Sequence, residues 1–238
     1  NRFFILNFLG EYDNGQYAVV QKFASIIEMI ALILYQTWQE MAFKHYNDTD
    51  RNAIYSKILN AYIWLFASLV ITISLCVKLA YPWIIGEKFQ ESSQYLILLL
   101  SAYMISMLCQ FFDIGYQCAK KSSRAISGSI AAVVVALVGN YLLTPIWGLN
   151  GVIASFAMTH VALLIHRVIT TRDIFQVALN QKSWIVLAIL GTNILVYYCL
   201  SGQILMLSLV INIALCFALM PNEMLSFIQK LKNNISRN

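Results

Sequence analysis

The sequence predicts an all-α, polytopic membrane helix bundle, made of the end of one helix followed by seven further membrane helices. Three observations carry this reading. Of the 238 residues, 60% are hydrophobic and only 11% charged, where soluble domains carry about 25% charged residues. So few charges cannot clothe a water-facing surface for 27.0 kDa, and the mean hydropathy of +0.68 agrees. That excludes an ordinary soluble enzyme and a disordered chain. The apolar residues also fall in blocks of about 20 or more, the length that one bilayer crossing needs. Finally, the basic residues sit on alternate loops between those blocks, as expected of a multi-pass protein.

The elements follow in order along the chain. Residues 3–9 are apolar but would rise only about 10 Å as helix, far less than a bilayer core. They read as the end of a helix, and the chain, which opens Asn1-Arg2 without a signal-peptide pattern, as the C-terminal part of a longer protein. A polar turn at 10–15 leads into a helix over 16–44. Polar residues 45–52 separate it from a helix over 53–81, which Pro82 and Gly86 end, opening an outer segment to residue 91. A third long helix covers 92–119, and Lys120, Lys121 and Arg124 mark the next loop. The fourth spans 125–144 and stops at Pro145, before a tight turn at 147–151 that contains Gly148 and Gly151. The fifth covers 152–175. The sixth and seventh, 183–200 and 203–220, are split by Ser201-Gly202 and closed by Pro221. Residues 222–232 read as an amphipathic helix lying on the membrane.

Charge sets the orientation. Twelve of the 16 Lys and Arg lie on one set of alternate loops and the tail: Lys44, Arg51, Lys57; Lys120, Lys121, Arg124; Arg167, Arg172, Lys182; Lys230, Lys232, Arg237. The intervening loops hold Lys88, and Lys78 lies near a helix end from which its stem can snorkel. The basic loops and the C-terminus are therefore expected to be cytoplasmic. The five cysteines lie in apolar runs with no CxxC spacing, so they read as small buried hydrophobes.

Two basic residues are left over. Arg2 is eight residues before the outer turn, about 12 Å deep in helical rise, and Lys22 is similarly deep in the next helix. A charge at that depth is costly unless it meets a partner or a wet cavity. Glu28 and Asp113 are embedded as well. Helical spacing puts Gln21, Glu28 and Tyr35 on one stripe and Ser106, Gln110, Asp113 and Gln117 on another, with a weaker third at Ser155, Thr159 and His166. Two readings of these stripes are open. They are interhelical glue, with Arg2 paired to Glu28 or to an acid outside this chain, or they line a water-filled path for a polar solute. In the second case Arg2 and Lys22 attract an anionic group such as a phosphate. No Gly-rich phosphate loop, metal-ligand spacing or nucleophile with a placed base occurs, so no enzyme activity, metal, cofactor or nucleic-acid partner is expected.

Several stretches together resemble a known family. Arg2-Phe3-Phe4-Ile5-Leu6, then Leu9-Gly10, a short acidic turn, and Gly15-Gln16-Tyr17-Ala18-Val19 leading to Lys22-Phe23-Ala24-Ser25 resemble the seventh-to-eighth helix junction of bacterial polysaccharide flippases. Trp38 with Ala42-Phe43, Tyr81 to Gly86, Gly115-Tyr116 before Lys120-Lys121, and Asn140 to Pro145 before Gly148-Leu149-Asn150-Gly151-Val152 extend the pattern over most of residues 1–182. The last helix pair is similar in hydropathy alone. These are features of the polysaccharide transporter branch, including O-antigen unit translocases, of the multidrug/oligosaccharidyl-lipid/polysaccharide exporter superfamily. The resemblance implies the C-terminal lobe of a two-lobe, exporter-type transporter in the bacterial cytoplasmic membrane. Residues 1–182 would form a six-helix lobe, 183–220 an additional helix pair and 221–238 a cytoplasmic tail. The implied cargo is an undecaprenyl-diphosphate-linked oligosaccharide, and the implied partners are the lipid bilayer, an N-terminal lobe of the same protein and other polysaccharide assembly proteins. Arg2 and Lys22 occupy the family's cationic cavity positions. Gln21, Glu28, Gln110, Asp113 and Gln117 are the cavity-lining or ion-coupling candidates. A lipid II flippase or a drug/cation exporter of the same superfamily, and a membrane polysaccharide polymerase or ligase, are the alternatives.

Overall fold

A helix satisfies its own backbone hydrogen bonds, so an apolar chain can bury its helices in lipid or against one another without orphaned polar groups. In the computed structural model, which describes residues 1–199 and 202–221, the described residues form seven α-helices and one 3₁₀ segment, with no strand. The helices are α1 (Arg2–Phe8), α2 (Glu11–Lys44), α3 (Arg51–Ile84), α4 (Leu96–Cys118), α5 (Ser122–Thr170), α6 (Gln181–Cys199) and α7 (Gly202–Ala218), with the 3₁₀ segment at Glu87–Tyr95. Five of these stretches are long and apolar enough to cross a membrane: α2, α3, the 3₁₀ segment joined to α4, α5 and α6. Large apolar side chains along them, among them Met29, Leu32, Ile33, Val134, Leu137 and Leu195, are exposed, a surface suited to acyl chains rather than water. The chain is a multi-pass helical membrane bundle. The expected surface helix at 222–232, and the tail cations Lys230, Lys232 and Arg237, lie outside the described residues, as do residues 200 and 201.

Several expected boundaries move. Helix α2 begins at Glu11 rather than at 16, because Gly10 alone makes the turn, with φ 97 and ψ −173, a conformation closed to residues with a Cβ. Glu11 and Asp13 then sit in the first turn of α2, where they complement the helix dipole. Gly15 is part of that helix, and its role is contact: a Cβ there would lie 2.8 Å from the Phe89 ring. Pro82 does not end α3, which runs to Ile84, and α4 starts at Leu96 after the 3₁₀ segment rather than at 92.

The expected fourth and fifth helices appear as one helical run, α5, folded back on itself at Gly148, whose φ 58 and ψ −136 break the helix. A Cβ on Gly139 would lie 2.6 Å from Ser155 Oγ, and one on Gly128 2.6 Å from His166 Nδ1. Those pairings make the two halves an antiparallel hairpin with its tip at 147–151, packed as closely as small residues allow. Its helical part ends at Thr170, five residues before the expected end.

Helix α4 is central and packs against α5, α2 and α3. Toward one end an aromatic cluster locks the helices: Trp38 stacks on Phe111 with centroids 4.5 Å apart, donates Nε1–H to the Phe111 carbonyl at 3.1 Å, and meets the edge of Tyr55. Helices α6 and α7 pack on α3, and Trp64 donates its indole N–H to the Cys216 carbonyl at 2.7 Å. The link into α6 is held unusually well. Residues 175–180 are extended and lie along α3, where Asn52 Oδ1, Ser56 Oγ and Asn60 Oδ1 accept the backbone N–H groups of Gln176, Ala178 and Asn180. Two extended residues rise about 6.6 Å and four helical residues about 6 Å, so the two ladders stay in register. Asn60 also accepts from Ser183 Oγ at 2.6 Å.

Candidate functional site: a polar seam along α1, α2 and α4

The loops sort by charge. One end of the bundle carries the turn at Gly10, the 3₁₀ segment and the Gly148 tip, with Glu11, Asp13, Glu87 and Glu91 against Lys88. The other carries Lys44, Arg51, Lys57, Lys120, Lys121, Arg124, Arg172 and Lys182. At this basic end Lys121 and Arg124 clamp Asp173 at 2.8 and 2.7 Å. Their hydrogen bonds hold the Asp173 carboxyl down at about 2. With the pKa depressed, the clamp is complete above the ordinary carboxylate range and is lost as pH falls through about 2.

The α2 stripe stands open along its length. Gln21 and Tyr35 are half-buried and Glu28 is exposed, and Gln39, one turn beyond Tyr35, continues the same face. From residue 21 to 39 the stripe rises about 27 Å, close to the ~30 Å hydrocarbon thickness of a bilayer. Helix α1 closes one end of it: Arg2 Nη2 donates to Gln21 Oε1 at 3.2 Å, so the two helices place these residues at one depth. Lys22, next in the chain, is exposed. Helix α4 closes the other end, where Gln117 Nε2 donates to Tyr35 Oη at 2.8 Å and Gln117 Oε1 accepts from Gln39 Nε2 at 2.7 Å. Ser106, Gln110 and Asp113 of α4 remain partly accessible between buried Met107, Cys109, Phe111, Phe112 and Ile114.

The sequence-derived candidates therefore separate into groups. Arg2 and Gln21 meet directly, and Gln117 joins the α2 stripe through Tyr35. Lys22 and Glu28 open onto the same helix without an ion pair within 4 Å among the described residues. Arg2 pairs with Gln21, so the Arg2–Glu28 pair that one of the two readings offered is not formed. Gln110 contacts Met107 Sδ of its own helix at 3.6 Å. Asp113 turns away from α2 toward α5, where its Oδ1 lies 2.8 Å from Arg167 Nη2, a contact misaligned for a hydrogen bond.

Arg167 flanks the third basic loop, as charge counting expects, in the last turn of α5. It was grouped with the loop cations, yet only 7% of it is exposed and it faces the embedded acid of α4. The stripe Ser155, Thr159 and His166 is glue: Ser155 and Thr159 are buried, and His166 packs on Gly128 inside the α5 hairpin. Lys78 does not snorkel outward. Its Nζ lies 4.1 Å from the Tyr197 ring centroid and donates to the Tyr197 carbonyl, neutralising carbonyls at the end of α6. A second polar knot sits beside Arg2, where Asn1 Nδ2 donates to Tyr17 Oη at 3.4 Å and Asn140 Nδ2 to Asn1 Oδ1 at 3.3 Å.

Among the described residues, no group of three His, Cys, Asp or Glu side chains is placed to hold a metal ion. No protein-family model, curated protein or solved structure matches the chain.

Proposed function

We propose that the seam along α1, α2 and α4 is one wall of a wet, cationic path through the membrane, and that the chain moves an anionic lipid-linked oligosaccharide across it. The carrying observation is that Arg2 and Lys22 are exposed at the outer end of the seam, Arg2 about 12 Å of helical rise in from the Gly10 turn, with no acid within ion-pair distance among the described residues. In a spanning bundle, exposed and unneutralised cations at that depth are tolerable in an aqueous cavity and costly against lipid tails. A diphosphate supplies the missing counter-charge, with Arg2 offering a planar pair of donors and Lys22 a point charge. The stripe of amide and phenol groups at Gln21, Tyr35, Gln39 and Gln117 suits the hydroxyl groups of sugars, since each side chain both donates and accepts.

On the resemblance of residues 1–182 to polysaccharide flippases, the cargo is an undecaprenyl-diphosphate-linked oligosaccharide bound for O-antigen, capsule or exopolysaccharide. It moves outward across the bacterial cytoplasmic membrane, with the basic end and C-terminus on the cytoplasmic side. Sugars and diphosphate travel in the wet path while the prenyl chain stays in the bilayer, and a second lobe rocks against this one to alternate access. Flipping breaks no bond and needs no catalytic residue. Asp113 is already neutralised by Arg167, so Glu28 is the embedded acid left for coupling to an ion.

The test is made in the full-length gene. Arg2→Ala/Lys22→Ala should insert normally and lower surface glycan display about tenfold or more, the loss of one or two charge-assisted contacts. Arg2→Lys should keep part of it. Undiminished display in the inserted double variant contradicts the proposal.

A further inference from the structure

The arginines of the described residues are engaged, with one exception. Arg2 meets Gln21, Arg51 donates to the Tyr46 carbonyl at 2.9 Å, Arg124 holds Asp173 and Arg167 faces Asp113. Arg172 is exposed and its guanidinium has no partner among the described residues. It stands on the rim of a cleft of about 390 Å³ at the basic end, together with Gln176. The rest of the lining is mixed: buried Thr171 beside Val168, Val177 and the rings of Phe112 and Phe175, which stack with centroids 5.9 Å apart.

Arg172 also follows an exposed stripe. Met158, Val161, Ile165 and Ile169 are all exposed and follow i, i+3, i+7 and i+11, one face of the second half of α5; Arg172 stands in the turn just beyond the end of that helix at Thr170. From Met158 to Ile169 this face rises about 16 Å, the depth of one bilayer leaflet. An apolar strip one leaflet long, followed by an unpaired guanidinium at a cleft of mixed polar and apolar lining, has the length and charge of a phospholipid's complement. Arg172 is the charged residue among those that line the cleft, so its rim is positive.

We propose that Arg172 and this cleft form a site for an acidic phospholipid of the leaflet at the basic end, with its phosphate on Arg172 and an acyl chain along Met158 to Ile169. The site is separate from the seam on α2 and does not depend on what the seam transports.

The experiment uses the purified full-chain protein in detergent micelles doped with dioleoyl phosphatidylglycerol or dioleoyl phosphatidylcholine, with retained lipid read by native mass spectrometry. Wild type should retain phosphatidylglycerol over phosphatidylcholine. Arg172→Ala should lower phosphatidylglycerol retention about fivefold, the worth of one basic side chain at an anionic surface, and leave phosphatidylcholine unchanged. Arg172→Lys should retain most of it. Val168→Trp fills the cleft without changing charge and should also lower retention, which decides the matter if Arg172→Ala yields no monodisperse protein. Equal retention of the two lipids by wild type, unchanged phosphatidylglycerol in Arg172→Ala or in Val168→Trp, or full displacement by millimolar inorganic phosphate overturns the proposal, the last by assigning the site to a free anion.

Discussion

Asp113 sits partly accessible in the wall of the α4–α5 interface, and the 2.8 Å approach of Arg167 is what makes a carboxylate tolerable there. Removing one partner of such a pair strands the other charge, which costs more than the pair is worth. Arg167→Ala should therefore destabilise the protein by about 3 kcal/mol, and the neutral double variant Asp113→Asn/Arg167→Gln by clearly less, in thermal unfolding of the detergent-solubilised protein. A single variant no less stable than the double one would show that the two charges are independent. At this scale the sequence was readable where a residue contradicts its surroundings. Arg2 and Lys22 stand out as cations inside apolar blocks. Arg167 does not stand out, because it lies in the last turn of a helix, next to true loop cations, and its partner is 54 positions away. Gln39 was within reach, since it follows Tyr35 by four residues and extends a stripe already recognised.

The α5 hairpin shows how a helical element obeys small residues. A Cβ on Gly151 would sit 2.0 Å from the Leu143 carbonyl oxygen, and backbone cannot yield as a flexible side-chain tip can. Gly151→Ala is expected to cost at least about 2 kcal/mol by overpacking and to loosen the pairing of Gly139 with Ser155. Gly86→Ala, where a Cβ meets nothing within 4 Å, should stay within about 0.5 kcal/mol; equal effects in thermal unfolding would contradict the packing described here. Gly148 and Gly151 made this turn legible, whereas Pro145, expected to end the fourth helix, lies inside α5, which breaks at Gly148 instead. The starts of α2 and α4 were not, because the cluster Gly10 to Gly15 has two unrelated roles. Gly10 turns the chain, whereas Gly15 admits the Phe89 ring. Polar residues 87–95, read as loop followed by helix, form a 3₁₀ segment instead, with Tyr12 donating to the Lys88 carbonyl at 3.1 Å and Tyr197 to that of Ser93 at 2.6 Å.

Across the whole molecule, composition and the alternation of charge were enough to read a multi-pass helical bundle and to pair its loops into two ends. The docking of α6 and α7 on α3 was not legible. Its ladder joins Asn52, Ser56 and Asn60 to backbone groups about 120 positions away, and a polar face at i, i+4, i+8 looks the same whether it meets water, lipid headgroups or a strand. The central claim concerns water: the seam along α2 and α4 is wet, whereas the outer face of α5 is greasy. It is tested most directly by single cysteines in an otherwise cysteine-free full-length protein, probed in intact cells and inverted vesicles with a charged, membrane-impermeant thiol reagent. Cysteines at Lys120 and Asn150 report the two sides of the membrane. Glu28→Cys and Gln117→Cys should label well above Val134→Cys and Leu137→Cys, which are exposed but apolar in their surroundings. Labelling at 28 and 117 as low as at 134 and 137 would mean that the seam is dry, and would contradict the account.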